Sequence, residues 1–279
     1  STLRREEIDP WLTTREREQT YWANQDMRWS YNERRYKKLL QYHPGGLLLY
    51  LYGNSGQVEH LFDLFRKVFE AIAEQGVNAE ERGYLSGIVR RVDEQYYTDE
   101  WAKCCLLLYK KELLQKPPLC LQRLFFRHPG KMKMFLEENP SRSFDVENDY
   151  YLPEEAYQDK RAFDCWAECL YEEFPEILGY IMGKSCNGKD GAFPHEFIRE
   201  FLEKQQNEKL TKAVFYGKFN SRGARIVQDG RTLYEQAKCY RAQARELRLK
   251  FPQSAKILLQ LAKWMESEAQ HDQLEAEIV

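Results

Sequence analysis

Residues 231–270 read RTLYEQAKCYRAQARELRLKFPQSAKILLQLAKWMESEAQ, and this segment is the most informative about the fold. Apolar residues recur there every three or four positions, which is the spacing of one helix face. One stripe holds Leu233, Ala237, Tyr240, Ala244 and Leu247, and a second holds Ala255, Leu258, Leu259, Ala262, Met265 and Ala269. Between them, Pro252 suits the first turn of a helix because its missing N–H loses no hydrogen bond there. We predict two long helices, at about 230–250 and 252–277, packed as a terminal hairpin.

The same spacing recurs along the rest of the chain, between signals that begin and end helices. Thr13-Thr-Arg-Glu16 and Asn78-Ala-Glu-Glu81 fit capping boxes, in which side chains satisfy the first free backbone amides of a helix. His43-Pro44-Gly45-Gly46 and Pro117-Pro118 are helix-ending sequences. Besides the long helix after Thr13, the predicted helices cover 57–74, 78–92, 100–114, 154–171, 175–183, 194–206 and 208–217.

Two stretches leave the secondary structure open. Leu47–Tyr52 is a short apolar run, which suits either a buried helix or a strand. The residues from Gly217 to Gly230 are rich in Asn, Ser and Gly, which suit a structured loop or a small β-hairpin. We therefore predict an all-α fold, an irregular αα-superhelix of stacked helical hairpins, with room for one minor β-hairpin near 215–230.

Residues 139–153 are the best candidate for a domain boundary. They carry Pro140 and Pro153 near their two ends and show no helical period. We predict an N-terminal helical bundle or solenoid at 1–138, a linker at 139–153, and a C-terminal helical region at 154–279 that ends in the long hairpin.

Composition excludes several classes of protein. The chain has 279 residues, 43% of them hydrophobic, and a formal net charge of −2. It is therefore globular, and its overall charge gives no reason to expect strong nonspecific binding to nucleic acid or to an anionic membrane. No apolar run approaches the roughly 20 residues of a spanning helix, and Ser1–Glu7 has no apolar core of a secretory signal. We expect no membrane partner.

Seven cysteines, an odd number, are scattered along the chain. Cys104, Cys105, Cys165, Cys169 and Cys239 lie beside apolar residues in predicted helices, where a free cysteine acts as a small hydrophobic residue. We predict a reducing, cytoplasmic location.

Segments of the last third resemble the C-terminal ends of large, uncharacterised bacterial proteins. They are 194–200 (PHEFIRE), 219–223 (FNSRG), the helix from Tyr234 to Leu247, Phe251-Pro252, and the helix from Ala255 to Ala269. The resemblance carries no activity. It implies that the chain is the C-terminal helical region of a multidomain bacterial protein. The chain also begins at Ser1 without an initiator Met, so we expect a piece of a longer protein or a chain that has lost a leader or tag.

No motif predicts catalysis, a cofactor or a metal. Gly179-Tyr-Ile-Met-Gly183-Lys184-Ser185 has three residues between its glycines, where a phosphate-binding loop needs four, and it continues a helical pattern. Four residues suit zinc by type, Cys165, Cys169, Cys186 and His195, but the cysteines lack the tight spacing of structural sites, and a buried thiol pair is the preferred interpretation. His195-Glu196 lacks a second His one turn later. We expect that metal is not needed for folding.

Basic residues gather near the terminal hairpin. Arg241, Arg245 and Arg248 fall on one helical stripe, with Lys238 one turn earlier, and Arg222 and Arg225 lie in the preceding loop. These six cations are the candidate site for an anion or a partner, although a solvated face paired with acidic residues explains the pattern as well. The preferred function is a non-enzymatic scaffold that binds a protein partner or other domains of a longer chain. A nucleic-acid-binding module that uses the Arg241 stripe is the first alternative, and an enzyme with an unrecognised site is the second.

Overall fold

Every regular element of the described structure is helical. The computed structural model describes Lys37 and residues 39–221 and 231–278, apart from the side chains of residues 144, 148 and 274–278. Within these residues no strand is present, and none of the helices is long and apolar enough to cross a membrane. The prediction of an all-α fold built from helical hairpins is confirmed. The predicted capping box at Thr13 and residues 222–230 of the predicted loop or β-hairpin lie outside the described residues.

In chain order the α-helices are α1 (Gly46–Gly53), α2 (Val58–Gln75), α3 (Ala79–Asp93), α4 (Asp99–Lys110), α5 (Leu119–Arg127), α6 (Pro129–Glu138), α7 (Ser143–Asp149), α8 (Lys160–Tyr171), α9 (Pro175–Gly183), α10 (Glu196–Gln205), α11 (Glu208–Asn220), α12 (Arg231–Leu247) and α13 (Pro252–Ile278). Short 3-10 turns lie at Ser55–Gln57, Pro140–Arg142 and Glu154–Tyr157. The chain divides into two compact units, Ser1–Leu121 and Gln122–Val279.

In the first unit, the apolar run Leu47–Tyr52 is helical. It forms most of α1, which packs against α3. A second pair, α2 and α4, meets through aromatic side chains. Phe65 and Phe69 of α2 lie with their ring centroids 5.9 Å and 5.5 Å from that of Trp101 in α4, and all three are fully buried. These rings form a core around which the helices of this unit gather.

Two helix starts in the first unit follow from local sequence. At α3 the predicted capping box is present: the Glu81 amide donates to Asn78 Oδ1 over 2.9 Å, and the Asn78 amide donates to the Glu81 carboxylate over 2.8 Å. At α4 the Thr98 hydroxyl accepts from the Trp101 amide.

The end of α4 differs from the prediction. The predicted helix 100–114 ends at Lys110, because Glu112 adopts a left-handed φ of 58°. Leu113 and Leu114 are buried outside the helix, which is why the apolar pattern runs past its end.

In the second unit, residues 139–153, which show no helical period in the sequence, contain two short helical elements. Pro140 begins a 3-10 turn, and α7 follows it. Val146 and Tyr150, one turn apart, are fully buried, and the Tyr150 hydroxyl donates to the carbonyl of Gln122 over 2.9 Å. Among the side chains of residues 143–150 that the structure describes, only these two are fully buried, which is too few to produce a visible helical period. The two compact units divide between Leu121 and Gln122, within α5, and the predicted linker at 139–153 stays a prediction.

The second unit is organised by two close helix pairs, α9 with α11 and α12 with α13. The long helix α13 also contacts α10 and α11. The observed bounds of α12 and α13 agree with the predicted hairpin at 230–250 and 252–277 to within a few residues at each end.

Candidate functional site

The terminal hairpin places the predicted cations on a face that its own packing leaves open. The inner stripe of α12 packs on α13 through Leu233, Ala237, Ala262, Met265 and Ala269, with Tyr240 partly buried against them. The inner stripe is therefore as predicted for α12. The prediction that Leu259 belongs to the buried stripe of α13 is wrong, since Leu259 is 38% exposed. Ile257 and Leu261 are fully buried instead, because α13 also faces α10 and α11.

Three of the six predicted cations are exposed on the hairpin, but the predicted helical stripe is wrong for Arg248, which follows the end of α12 at Leu247. Lys238, Arg245 and Arg248 are exposed, and none of them has an ion-pair or hydrogen-bond partner among the residues that the structure describes. Arg222 and Arg225 lie outside the described residues. We call Lys238, Arg245 and Arg248 the basic face.

Arg241 differs from the other members of its stripe. Its guanidinium donates two hydrogen bonds to the carboxylate of Glu266 in α13, over 2.7 Å and 2.6 Å. Because these bonds favour the ionised carboxylate, they lower the pKa of Glu266. Arg241 therefore links the two helices, and it is not one of the free cations of the basic face.

The turn that joins α12 to α13 adds an apolar group beside these cations. Leu249 is 91% exposed, although the neighbouring Leu247 and Phe251 are each only 7% exposed. The ammonium group of Lys250 lies 5.0 Å from the centroid of the Phe251 ring. The end of the hairpin thus presents an exposed leucine between Arg248 and Lys250.

The glycine-rich segment at 179–185 does not form a phosphate-binding loop. Residues 175–183 are the helix α9, which is preceded by another helix and not by a strand. Its glycines serve packing. A Cβ atom on Gly183 would overlap the carbonyl of Val214 and the backbone of Gly217, and one on Gly217 would overlap the carbonyl of Tyr180. The segment therefore holds α9 against α11.

The four residues considered for zinc are not brought together. Within the described part of the chain, the ligand atoms of Cys165, Cys169, Cys186 and His195 do not converge on one point. The expectation that Cys165 and Cys169 form a buried thiol pair is wrong, because Cys165 is exposed and Cys169 is only partly buried. His195 is buried, and its Nδ1 accepts a hydrogen bond from the Phe197 amide, so it caps α10. Cys239, expected beside apolar residues, is also exposed.

A buried arginine organises the loop before α10, and sequence reasoning missed it. Arg199 is only 2% exposed, and its guanidinium donates to both carboxylate oxygens of Asp190, over 2.7 Å and 2.9 Å. These bonds lower the pKa of Asp190, and burial lowers the pKa of His195. Asp190 lies in a loop nine residues earlier, and no residue pattern in that loop indicates the pair.

A second missed cluster lies in the first unit. The ligand atoms of Asp93, Cys105 and Cys120 all lie within 4.8 Å of one another, and the three residues are buried. Burial raises the pKa of both thiols and of the Asp93 carboxyl group. Spacings of 12 and 15 residues across three helices resemble no metal-binding motif, so no pattern in the sequence indicates this cluster.

Comparison with known proteins adds no relative: no protein-family model matches the chain, and no curated protein or solved structure matches it significantly.

Proposed function

We propose that this chain is a non-enzymatic helical scaffold that uses the basic face of α12 to bind an acidic surface of a protein partner or of another domain of a longer chain. The observation that carries the proposal is the exposure of Lys238, Arg245 and Arg248 without partners among the described residues. The opposite stripe of the same helix is buried on α13. One face of α12 is therefore used by the fold, and the other remains available.

The charge of this region supports an acidic partner. Residues 231–250 hold six Lys or Arg residues and two Glu residues, a local net charge of +4 in a chain whose net charge is −2. Complementary potentials guide association and fix the register of an interface. Cations in the last turn of a helix are also favoured by the helix dipole. That effect accounts for Arg245, but not for Lys238, which lies two turns earlier, or for Arg248, which follows the end of α12 at Leu247.

The surroundings of the basic face favour a protein over a nucleic acid. Exposed Leu249 offers an apolar contact, which protein interfaces use at their centres. Arg241, the central cation of the stripe, is already neutralised by Glu266.

The proposal also assigns a reducing cytoplasmic compartment and a bacterial source. All seven cysteines are free thiols, which supports the compartment. The source rests on the resemblance of the last third to C-terminal regions of large bacterial proteins.

A binding experiment with a defined acidic probe tests the proposal. Fluorescence anisotropy would measure the affinity of the full chain for a labelled glutamate-rich peptide, with Arg245→Glu/Arg248→Glu as the test variant. Lys209→Glu/Lys212→Glu in α11 is the matched control, because both lysines are exposed and the change in net charge is identical. We expect the test variant to bind at least tenfold more weakly and the control to bind nearly as wild type.

Two outcomes would contradict the proposal. An equal loss in both variants would mean that the peptide responds only to net charge. Tighter binding of an RNA or DNA oligomer than of the peptide, with an affinity that falls steeply with salt and depends on Arg245 and Arg248, would assign the face to nucleic acid.

A further inference from the structure

Three helices of the first unit bring a carboxylate and two thiols together in the interior. Asp93 is the last residue of α3, Cys105 lies in the middle of α4, and Cys120 is the second residue of α5. Their exposures are 7%, 0% and 1%, and every pair of their ligand atoms lies within 4.8 Å. This cluster is independent of the basic face on α12 and lies in the other compact unit.

The Asp93 carboxylate has hydrogen bonds but no cation. The Trp101 indole Nε1 donates to Oδ1 over 2.8 Å, and the Cys120 amide donates to Oδ2 over 3.2 Å. No Lys, Arg or His of the described residues forms an ion pair with it. A carboxylate in the protein interior is costly unless its charge is compensated. The Leu119 amide and the Cys120 thiol also form hydrogen bonds with this carboxylate. Hydrogen bonds of this kind orient a carboxylate that binds a metal ion.

The donor set selects one class of cation. Two sulfur ligands beside one carboxylate suit zinc and similar thiophilic ions, whereas magnesium and calcium require oxygen ligands. In a tetrahedral zinc site with Zn–S of about 2.3 Å and Zn–O of about 2.1 Å, ligand atoms lie roughly 3.5–3.8 Å apart. The observed separations therefore need to close by at most about 1.3 Å, which rotation of the Cys and Asp side chains can provide.

We propose that Asp93, Cys105 and Cys120 bind one thiophilic divalent cation of the zinc class. Binding forms two metal–sulfur bonds and one metal–oxygen bond, and it releases the two thiol protons to solvent. Within the part of the chain that the structure describes, no fourth residue joins the cluster, so a non-protein ligand takes the remaining tetrahedral position. Trp101 acts as a positioning residue, because its N–H fixes the carboxylate.

The alternative is a purely structural cluster. In that case the thiols fill space as small hydrophobic residues, and Asp93 only anchors Trp101 and the start of α5. Both interpretations are compatible with the expectation that metal is not needed for folding. Only the metal site requires the two sulfurs and the carboxylate to act together on a ligand.

A cobalt titration distinguishes the two. The full chain, reduced and freed of metal with a chelator, would be titrated with Co²⁺ while thiolate-to-cobalt charge-transfer absorption is recorded, and Zn²⁺ would then displace the cobalt. We expect one equivalent, with an intensity that corresponds to two thiolates. Cys105→Ser and Cys120→Ser should each lower the affinity at least tenfold. Cys104→Ser, at the adjacent position of the same helix and outside the cluster, should leave it unchanged.

A separate control tests whether each variant folds. Each variant is compared with the wild type by far-UV circular dichroism, and Asp93→Asn serves as a variant of the same size that should also weaken binding at least tenfold. If the cysteine variants fail to fold, native mass spectrometry of the wild type decides, since the proposal requires one bound Zn²⁺ in the reduced chain. The proposal is overturned if no ion binds, if binding persists in both cysteine variants, or if Cys104→Ser loses affinity equally. It is also overturned if the chain as purified contains an intramolecular disulfide between Cys105 and Cys120.

Discussion

The two close helix pairs of the second unit pack in different ways. Where α9 meets α11, the backbones themselves touch, and Gly183 and Gly217 have no room for even a Cβ atom. Where α12 meets α13, alanines allow close approach, but Leu233 and Met265 fill the remaining space. The first contact is between backbones, and the second is between side chains.

This difference determines how much each pair tolerates change. A backbone contact cannot relax around an added carbon, because the opposing atoms are carbonyls and Cα atoms of another helix. A side-chain contact loses stability in proportion to the atoms removed, and in α12 it leaves the residues on the opposite face exposed. The pair with the free outer face is the one that carries the basic face.

The largest expected effect is on the terminal hairpin. Leu258 in α13 is fully buried, so Leu258→Ala should lower the free energy of unfolding by about 2–5 kcal/mol through lost burial and the cavity left behind. Leu259→Ala is the matched control, since Leu259 is 38% exposed and should cost under about 1 kcal/mol. Urea denaturation would measure both. Equal losses would mean that α13 is buried on all sides.

A single added carbon atom should destabilise the close contact between α9 and α11. Gly183→Ala adds one carbon against the backbone of α11 and should cost about 1–3 kcal/mol. Gly83→Ala, inside α3 with nothing within 4 Å of the added Cβ, should instead stabilise its helix by about 1 kcal/mol. Thermal unfolding of both variants tests this. A harmless Gly183→Ala would show that α9 and α11 lie farther apart than described.

The ion pair across the hairpin should matter least, and its effect should depend on pH. Arg241 lowers the pKa of Glu266, so the pair stabilises the fold above the ordinary carboxyl pKa of roughly 4.3, and this contribution is lost as pH falls through the lower folded value. Glu266→Gln should therefore lower the melting temperature slightly at neutral pH and not at about pH 3. A larger loss in acid than at neutral pH would exclude this pairing.

Much of the second unit could be predicted because its signals are local. The apolar stripes of α12 and α13, Pro252 at the start of α13, and the cap at Asn78 in the first unit all act within a few residues along the chain. The short helix α7 could not be predicted from its two buried residues, Val146 and Tyr150.

The sites depend on contacts between distant residues, which a single sequence does not show. Spacing placed Arg241 and Arg245 on one stripe, but only the position of Glu266 on the neighbouring helix separates a paired arginine from a free one. The convergence of Asp93, Cys105 and Cys120 likewise depends on how three helices pack, and neighbouring residues give no indication of it.

We infer that α12 uses one face for the fold and keeps the other free. Two substitutions only two residues apart should therefore differ greatly in their effect on the free energy of unfolding. Leu247 is 7% exposed on the inner face, and Arg245 is exposed on the outer face. Equilibrium unfolding in urea should show that Leu247→Ala costs about 2 kcal/mol or more, while Arg245→Ala costs under about 1 kcal/mol. A harmless Leu247→Ala together with a severely destabilising Arg245→Ala would mean that the two faces are reversed, and the scaffold would lose its proposed binding surface.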